Sequence, residues 1–135
     1  MLSQTSRYAL KALDFLASNG NGDYKLVKDI SGKLDIPQQY LSKILHALAR
    51  EGLLQSQRGR SGGFRLNRPA NAITLYEVID PLDHLGRLGA CIMGNGQCSR
   101  NDQCALHDMW GEVRDKYLSF LKATSLDELN IGIVA

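Results

Sequence analysis

The sequence lacks the features that would place it in a membrane or direct it to secretion. No apolar run approaches the roughly 18 residues that a membrane-spanning helix needs. The N-terminal stretch, Met1 to Arg7, has no apolar core of the kind that signal peptides contain. We therefore expect a cytoplasmic protein with no membrane partner.

The sequence also has few cysteines, and they are confined to one stretch. Cys91, Cys98 and Cys104 lie within fourteen residues, and His107 follows three residues later. An odd number of cysteines without a signal peptide is typical of a reducing compartment, where clustered thiols more often bind metal than form disulfides. Three thiolates and an imidazole suit zinc, copper(I) or an iron–sulfur cluster. Free thiols, or one disulfide and an unpaired cysteine, are the alternative.

No combination of nucleophile, acid and base indicates an enzyme. The stretch Gly59-Arg60-Ser61-Gly62-Gly63 could cradle a nucleotide phosphate, but it lacks the Lys-Ser/Thr pair of a P-loop and opens into no helix. A small redox enzyme or electron carrier that uses the cysteines is a further alternative. It leaves the basic N-terminal half unexplained, so we expect a protein that is not an enzyme.

Length and composition fit one globular protomer, but the charge is unevenly distributed. The chain has 135 residues, of which 44% are hydrophobic and 22% charged. The residues before Pro69 carry eleven Lys and Arg against five Asp and Glu, a formal charge of +6. The rest carries five against nine, a charge of −4, which gives the total of +2. This asymmetry indicates that the N-terminal half meets a polyanion.

The first fifty residues predict three amphipathic helices, over about 5–18, 26–34 and 37–50. Asp35-Ile36-Pro37 makes a tight turn, with Pro37 as the first residue of the third helix. Two helices joined in this way predict a helix-turn-helix. The third helix has an apolar stripe of Leu41, Ile44, Leu45 and Leu48. Its outer face, which is either an ordinary solvated surface or a face that reads DNA, carries Gln38, Gln39, Tyr40, Ser42, Lys43 and His46.

A basic β-hairpin is predicted directly after the third helix. Short strands over 53–58 and 64–66 flank the glycine-rich tip, and four arginines crowd the hairpin, namely Arg58, Arg60, Arg65 and Arg68. A basic hairpin after a helix-turn-helix is typical of a wing, whose tip contacts the minor groove or nearby phosphates. We assign Arg58, Arg60 and Ser61 to that contact.

The C-terminal half predicts a short helix, the cysteine stretch and a long helix. Thr74 and Glu77 form a capping box, and the Asp80-Pro81 step is expected to end the short helix. The long helix, over 105–123, carries one apolar stripe of Leu106, Met109, Trp110, Val113, Tyr117, Phe120 and Leu121. Part of this stripe could pack on the first helix. We assign a homodimer interface to Trp110, Val113, Tyr117 and Leu121.

These elements predict a mainly α protein with a small β-hairpin, a winged helix-turn-helix followed by a dimerisation helix. Residues 1–80 form the DNA-binding region in this prediction. Residues 81–135 carry the ligand loop, over about 91–107, and the dimerisation helix within one compact protomer. Ser125 is expected to cap a last short turn. A two-fold dimer would bind a near-palindromic site on double-stranded DNA.

The ordered set of motifs resembles the winged-helix transcription regulators that include IscR, NsrR and RirA, over nearly the whole chain. The matching stretches are Arg7-Tyr8-Ala9-Leu10, Tyr40-Leu41, Gly52-Leu53-Leu54, Arg58-Gly59-Arg60-Ser61-Gly62-Gly63-Phe64, Glu77-Val78-Ile79, the three cysteines with Ala105-Leu106-His107, and Trp110. The resemblance implies that the cysteines bind an iron–sulfur cluster whose state sets DNA affinity. It implies repression or activation of transcription in response to iron–sulfur or redox status.

Within that family the chain is most similar to the IscR-like branch. There, three cysteines and one histidine hold a [2Fe–2S] cluster, which implies Cys91, Cys98, Cys104 and His107 here. The nitric-oxide-responsive NsrR branch uses an acidic residue of the partner's first helix, where this chain has Tyr8.

Two points bear on this assignment. Six residues separate Cys91 from Cys98, one more than in the IscR-like pattern, so cluster type and ligand set stay open. A structural or regulatory zinc site and a nitric-oxide-responsive repressor are the alternatives. Some family members have lost the cluster and regulate sulfur metabolism, which the three cysteines argue against.

Overall fold

A computed structural model describes residues 2–19, 22–60, 62–89 and 106–129. The helices and strands, in chain order, are α1 (Gln4–Asn19), α2 (Val27–Leu34), α3 (Gln38–Arg50), β1 (Leu54–Gln57), β2 (Gly63–Leu66), α4 (Leu75–Asp83) and α5 (His107–Ala123). Short 3₁₀ turns cover Ala70–Ala72, Leu85–Gly89 and Leu126–Glu128. The predicted class, mainly α with one β-hairpin, is confirmed. No helix in these ranges is long and apolar enough to cross a membrane.

Helix α1 is the element against which the others pack. Its apolar residues recur at helical spacing, and α1 contacts α2, α3, α4, β2 and the last 3₁₀ turn. Ala9 and Ala12 are completely buried, and their small side chains let neighbouring elements approach closely. The buried apolar face of α1 consists of Ala9, Leu10, Ala12, Leu13, Phe15 and Leu16.

The turn between α2 and α3 is tight and well hydrogen-bonded. Asp35 ends α2 in the left-handed region, with φ of 55°, and its N–H donates to the Ser31 carbonyl. The same carbonyl accepts from the Ile36 N–H at 3.2 Å. Pro37 has a ψ of 128°, which is not helical, and is the N-cap residue of α3. The helix therefore begins at Gln38, one residue later than predicted. The helix-turn-helix is present.

The hairpin pairs β1 with β2 in an antiparallel register, with Leu54 opposite Leu66 and Gln57 opposite Gly63. A third segment extends this small sheet at Lys25, which exchanges two backbone hydrogen bonds of 2.9 Å with Phe64. The wing is therefore attached through β2, near the tip end of that strand, to the connection between α1 and α2.

Helix α4 begins with the predicted capping box, in which Thr74 and Glu77 bond reciprocally. The prediction that the Asp80-Pro81 step ends this helix is wrong, because α4 continues to Asp83. Pro81 removes one backbone hydrogen bond, but Leu82 packs against the core and favours a further turn. His84 is the C-cap residue of this helix, and its N–H donates a hydrogen bond of 2.8 Å to the Asp80 carbonyl.

The C-terminal segment completes the core of the N-terminal half. Leu121 and Leu126 are each 1% exposed and belong to the same apolar cluster as α1, α3 and α4. The Leu126 N–H donates to the Ile73 carbonyl at 2.8 Å, and the Leu75 N–H donates to Thr124 at 2.9 Å. The predicted cap at Ser125 is present. The winged region, the end of α5 and the 3₁₀ turn after it therefore share one core.

Gly63 offers a sharp test of how the wing is attached. Its φ is +122°, and a Cβ there would lie 2.0 Å from the Lys25 carbonyl oxygen. Gly59, at the hairpin tip, has φ of +106° but open space around the same position. We expect Gly59→Ala to cost about 1 kcal/mol from backbone strain alone. Gly63→Ala should cost a further ~1–3 kcal/mol, because Lys25 and the strand must move apart. Urea unfolding of both variants checks this, and equal midpoints would contradict the attachment.

Candidate nucleic-acid interface and cluster-bearing segment

The outer face of α3 is polar and mostly exposed. Gln38, Gln39 and Lys43 are exposed, and Ser42 is half-buried. The opposite face is buried through Leu41, Ile44, Leu45 and Leu48, so the core fixes the rotation of α3 about its axis. The polar side chains are therefore presented outward, as contact with a nucleic acid requires.

Tyr40 differs from its neighbours on this turn, because it contacts α1. It is 38% exposed, and its hydroxyl is hydrogen-bonded to the Thr5 hydroxyl. Its ring lies edge-on to Tyr8, with centroids 5.6 Å apart and planes at 86°. Tyr8 in turn accepts a 2.7 Å hydrogen bond from the Gln4 side-chain amide.

The wing and α3 are joined through Phe64. Its side chain is 3% exposed, and the exposed His46 ring packs edge-on against it with centroids 5.0 Å apart. His46, predicted on the outer face of α3, thus contacts the wing. This contact packs β2 of the wing against the side of α3 that carries His46.

The structure divides the four arginines of the hairpin into two pairs. Arg58 and Arg60 are exposed at the tip and make no hydrogen bond or ion pair within the part of the chain that is described. Ser61, between them and β2, lies outside the described residues. The tip therefore keeps two cationic side chains available to a polyanion.

Arg65 and Arg68 are instead used within the fold. Arg65 donates to the Gln55 side chain at 2.7 Å and lies 4.4 Å from the centroid of the Tyr24 ring. Arg68 pairs with Glu77 at 3.2 Å. Partial burial acts to raise the pKa of Glu77, but hydrogen bonds from Thr74 and Arg68 outweigh it, and the pKa is lowered.

Three of the four proposed cluster ligands, Cys91, Cys98 and Cys104, lie outside the described residues. His107 is described, half-buried, as the first residue of α5. Within the described ranges no group of three or more metal-binding side chains occurs. The donor set fits an iron–sulfur cluster or zinc, because soft thiolates and imidazole suit both.

The apolar side chains of α5 divide into an inner and an outer group. Leu121, predicted at a dimer interface, is 1% exposed and packs in the core of its own protomer. Tyr117 also packs against this core, and Trp110 is half-buried. Val113, also predicted at the interface, is 54% exposed. The outer group consists of Leu106, Met109, Val113 and Phe120, at 38%, 66%, 54% and 55% exposure.

A cavity of about 630 Å³ lies between the start of α1, the end of α4 and the first half of α5. Its wall includes Leu2, Asp83, Trp110 and Tyr117. The pKa of Tyr117 is raised, mainly by partial burial and to a smaller extent by the nearby Asp83 charge. The first half of α5 is thus close to both α1 and α4.

The tip arginines give a measurable prediction for DNA binding. Replacing both Arg58 and Arg60 with Ala should weaken binding to any duplex and reduce the log–log salt slope by about 0.9 per lost phosphate contact. Lys122→Gln is the control, because it also removes a positive charge, but from α5, where Lys122 lies over the Tyr76 ring and belongs to neither α3 nor the hairpin. Binding constants at several salt concentrations check this. A double variant with the salt slope of the parent would exclude the tip from the interface.

Comparison with known proteins agrees with this geometry. A family model described as Rrf2, iron-dependent transcriptional regulator, matches residues 2–130. The HTH-type transcriptional regulator IscR of Escherichia coli (strain K12 / DH10B) is 33% identical over 128 residues, which are 95% of this chain and 78% of IscR.

Solved structures give the same fold. CymR (YrzC), the global cysteine regulator of B. subtilis, is similar with a TM-score of 0.79 and 26% identity, covering 96% of this chain and 95% of that one. T. potens IscR shares the fold with a TM-score of 0.76 and 21% identity, covering 96% and 85%. These matches confirm the resemblance drawn from the motifs. The chain belongs to the Rrf2 family of transcription regulators, which bind DNA and are not enzymes.

Proposed function

We propose that the protein is a homodimeric regulator whose affinity for DNA is set by an iron–sulfur cluster, of the [2Fe–2S] type, that reports iron–sulfur or redox status. Cys91, Cys98, Cys104 and His107 would hold it. One observation carries this proposal: every cysteine of the chain lies in one segment of seventeen residues that ends with the first residue of α5. Bound there, the cluster would supply a redox-sensitive group that is lost or altered under oxidative or iron-limited conditions.

The DNA-binding side of the proposal uses the first turns of α3 and the wing. Gln38, Gln39, Ser42 and Lys43 face outward from α3 and would contact base edges and phosphates in the major groove. Arg58, Arg60 and Ser61 would contact the adjacent backbone or minor groove. The positive charge of the N-terminal half supports this side of the molecule as the DNA face.

The dimer in this proposal forms through the outer apolar group of α5. The exposed apolar side chains along this helix form a row that is interrupted between Val113 and Phe120, and the other side of the helix is already packed; the row consists of Leu106, Met109, Val113 and Phe120. A second copy would cover this row around a two-fold axis, and Trp110 and Tyr117 would flank it. Two α3 helices about 34 Å apart would then match successive turns of a near-palindromic site.

The coupling between the two functions follows from where α5 starts and what it touches. His107 is both a proposed ligand and the first residue of α5, so ligation by the four residues would fix where this helix begins. α5 packs on α4, and Leu121 enters the core that also holds α3. Cluster loading changes DNA affinity only if the loaded and empty forms place the two α3 helices differently.

A second candidate is a thiol-responsive regulator without a cluster. It is favoured by the likeness to the cysteine regulator CymR of B. subtilis and to the oxidised form of Staphylococcus aureus CymR, which is 26% identical with a TM-score of 0.74. A Cys3His zinc site is the remaining alternative, because zinc accepts the same ligands.

Metal and sulfide analysis of anaerobically purified protein separates these candidates. Coloured protein with iron and acid-labile sulfide supports the cluster. Colourless protein with stoichiometric zinc contradicts it in favour of zinc, and metal-free protein with reactive thiols favours the second candidate. DNA footprinting with the loaded and metal-free forms then shows whether loading changes site occupancy.

Removal of single ligands should separate cluster loss from unfolding. Cys98→Ala should lose the cluster yet fold and dimerise, because the described core is built from residues outside this segment. Its affinity for cluster-dependent sites should fall. His107→Ala should be milder and give a labile cluster or one of altered potential, since a substitute ligand can complete the site. Absorbance, sulfide content and DNA affinity are measured together. A Cys98→Ala protein that binds every target as the loaded parent does would show that the cluster is not the switch.

The dimer face gives an independent prediction. Met109→Glu with Val113→Glu places two carboxylates in the outer apolar row and should shift the protein towards monomer at micromolar concentration. Ser119→Glu, at an exposed position of the same helix outside that row, is the control and should remain dimeric. Sedimentation velocity distinguishes them. A parent protein that sediments as a monomer would rule out the assigned interface.

A further inference from the structure

The first turn of α1 contacts the turn of α3 that carries the glutamines proposed to read DNA. Thr5 and Tyr8 both touch Tyr40, one through its hydroxyl and the other through its ring. Gln38 and Gln39 are on the same first turn of α3. A shift of Tyr40 relative to α1 would therefore move these two side chains as well.

The α1 turn is itself held from the other side. The Ser3 hydroxyl donates to the Asp83 carboxylate at the end of α4, and the Ser3 N–H donates to the same group at 3.3 Å. Partial burial acts to raise the pKa of Asp83, but the hydrogen bonds from Ser3, together with Ser6 and the nearby Arg87 charge, outweigh it, and the pKa is lowered. Asp83 is thus charged at neutral pH, and the start of α1 has a firm attachment to the body of the protein.

Tyr40 is poorly suited to read bases with its own polar group. Its hydroxyl already pairs with Thr5, and its ring is engaged on one side by Tyr8. The hydroxyl can still make one further hydrogen bond, but the bond to Thr5 limits the directions from which a base could meet it.

We propose that Thr5 is a positioning residue for DNA recognition, acting through the hydroxyl of Tyr40 to fix the first turn of α3. This inference rests on the proposed placement of α3 against DNA. It assigns Tyr40 a role different from that of Gln39: Tyr40 holds the turn, and Gln39 contacts the base.

The test compares Thr5→Val, Thr5→Ser, Tyr40→Phe and Gln39→Ala. The probes are a duplex selected from a random pool by the parent protein and an unrelated duplex of equal length. Thr5→Val and Tyr40→Phe should each lower affinity for the selected duplex roughly three- to tenfold, the effect of one hydrogen bond. Binding to the unrelated duplex and the salt slope should not change. Thr5→Ser, which keeps the hydroxyl, should restore parental affinity.

Double variants separate positioning from direct contact. Thr5→Val with Tyr40→Phe should be no weaker than either alone, because both remove the same hydrogen bond, whereas Thr5→Val with Gln39→Ala should be close to additive. The inference fails if the first pair is additive, or if Tyr40→Phe reduces the salt slope. It also fails if Thr5→Val lowers the urea midpoint without altering the ratio of selected to unrelated binding. If Gln39→Ala also leaves that ratio unchanged, the result contradicts the proposed placement of α3 against DNA, and not the role of Thr5 alone.

Discussion

The burial of one face of α1 is the constraint on which the rest of this structure depends. Ala9 and Ala12 have no exposed surface, so the elements that surround α1 lie close to its backbone. α3, α4 and β2 each use part of this face, and none of them is long enough to bury its own apolar side chains alone. The position of α3, and with it any DNA-binding face, is therefore set by packing against α1.

Periodicity predicted the helices well because amphipathic spacing is a local property of the chain. Leu41, Ile44, Leu45 and Leu48 recur at the helical interval, and all four are buried as that interval requires. Pro81 shows where local reasoning stops. The dipeptide rule predicts an end to α4, but the packing of Leu82 is a tertiary effect that a rule about neighbouring residues does not contain.

Composition alone could not divide the side chains of the candidate sites by role. Arg58, Arg60, Arg65 and Arg68 are equivalent in sequence, yet Tyr24, Gln55 and Glu77 engage two of them and leave the tip pair exposed. Tyr24 and Glu77 come from outside the hairpin, and Gln55 stands opposite Arg65 across it. The spacing of apolar residues in α5 likewise predicted one apolar stripe. It does not say which side chains of the stripe pack inside the protomer, and Leu121 is one that does.

The two ends of the proposed regulatory system are linked through the packing of α5 on α4, of α4 on α1 and of α1 on α3. α5 starts at His107, and its Tyr117 is close enough to Asp83 for that charge to raise the tyrosine pKa. Asp83 accepts from Ser3, and two residues later Thr5 bonds Tyr40 on the recognition helix. A hydrogen bond such as those of Ser3 and Thr5 is worth about 1 kcal/mol, and coupling between sites in proteins is commonly 1–3 kcal/mol, or 5- to 150-fold in affinity. A chain of such contacts can therefore account for graded control of DNA affinity. Moving a two-state equilibrium from 1:99 to 99:1 would take roughly 5.5 kcal/mol, which is more than any one of these hydrogen bonds supplies.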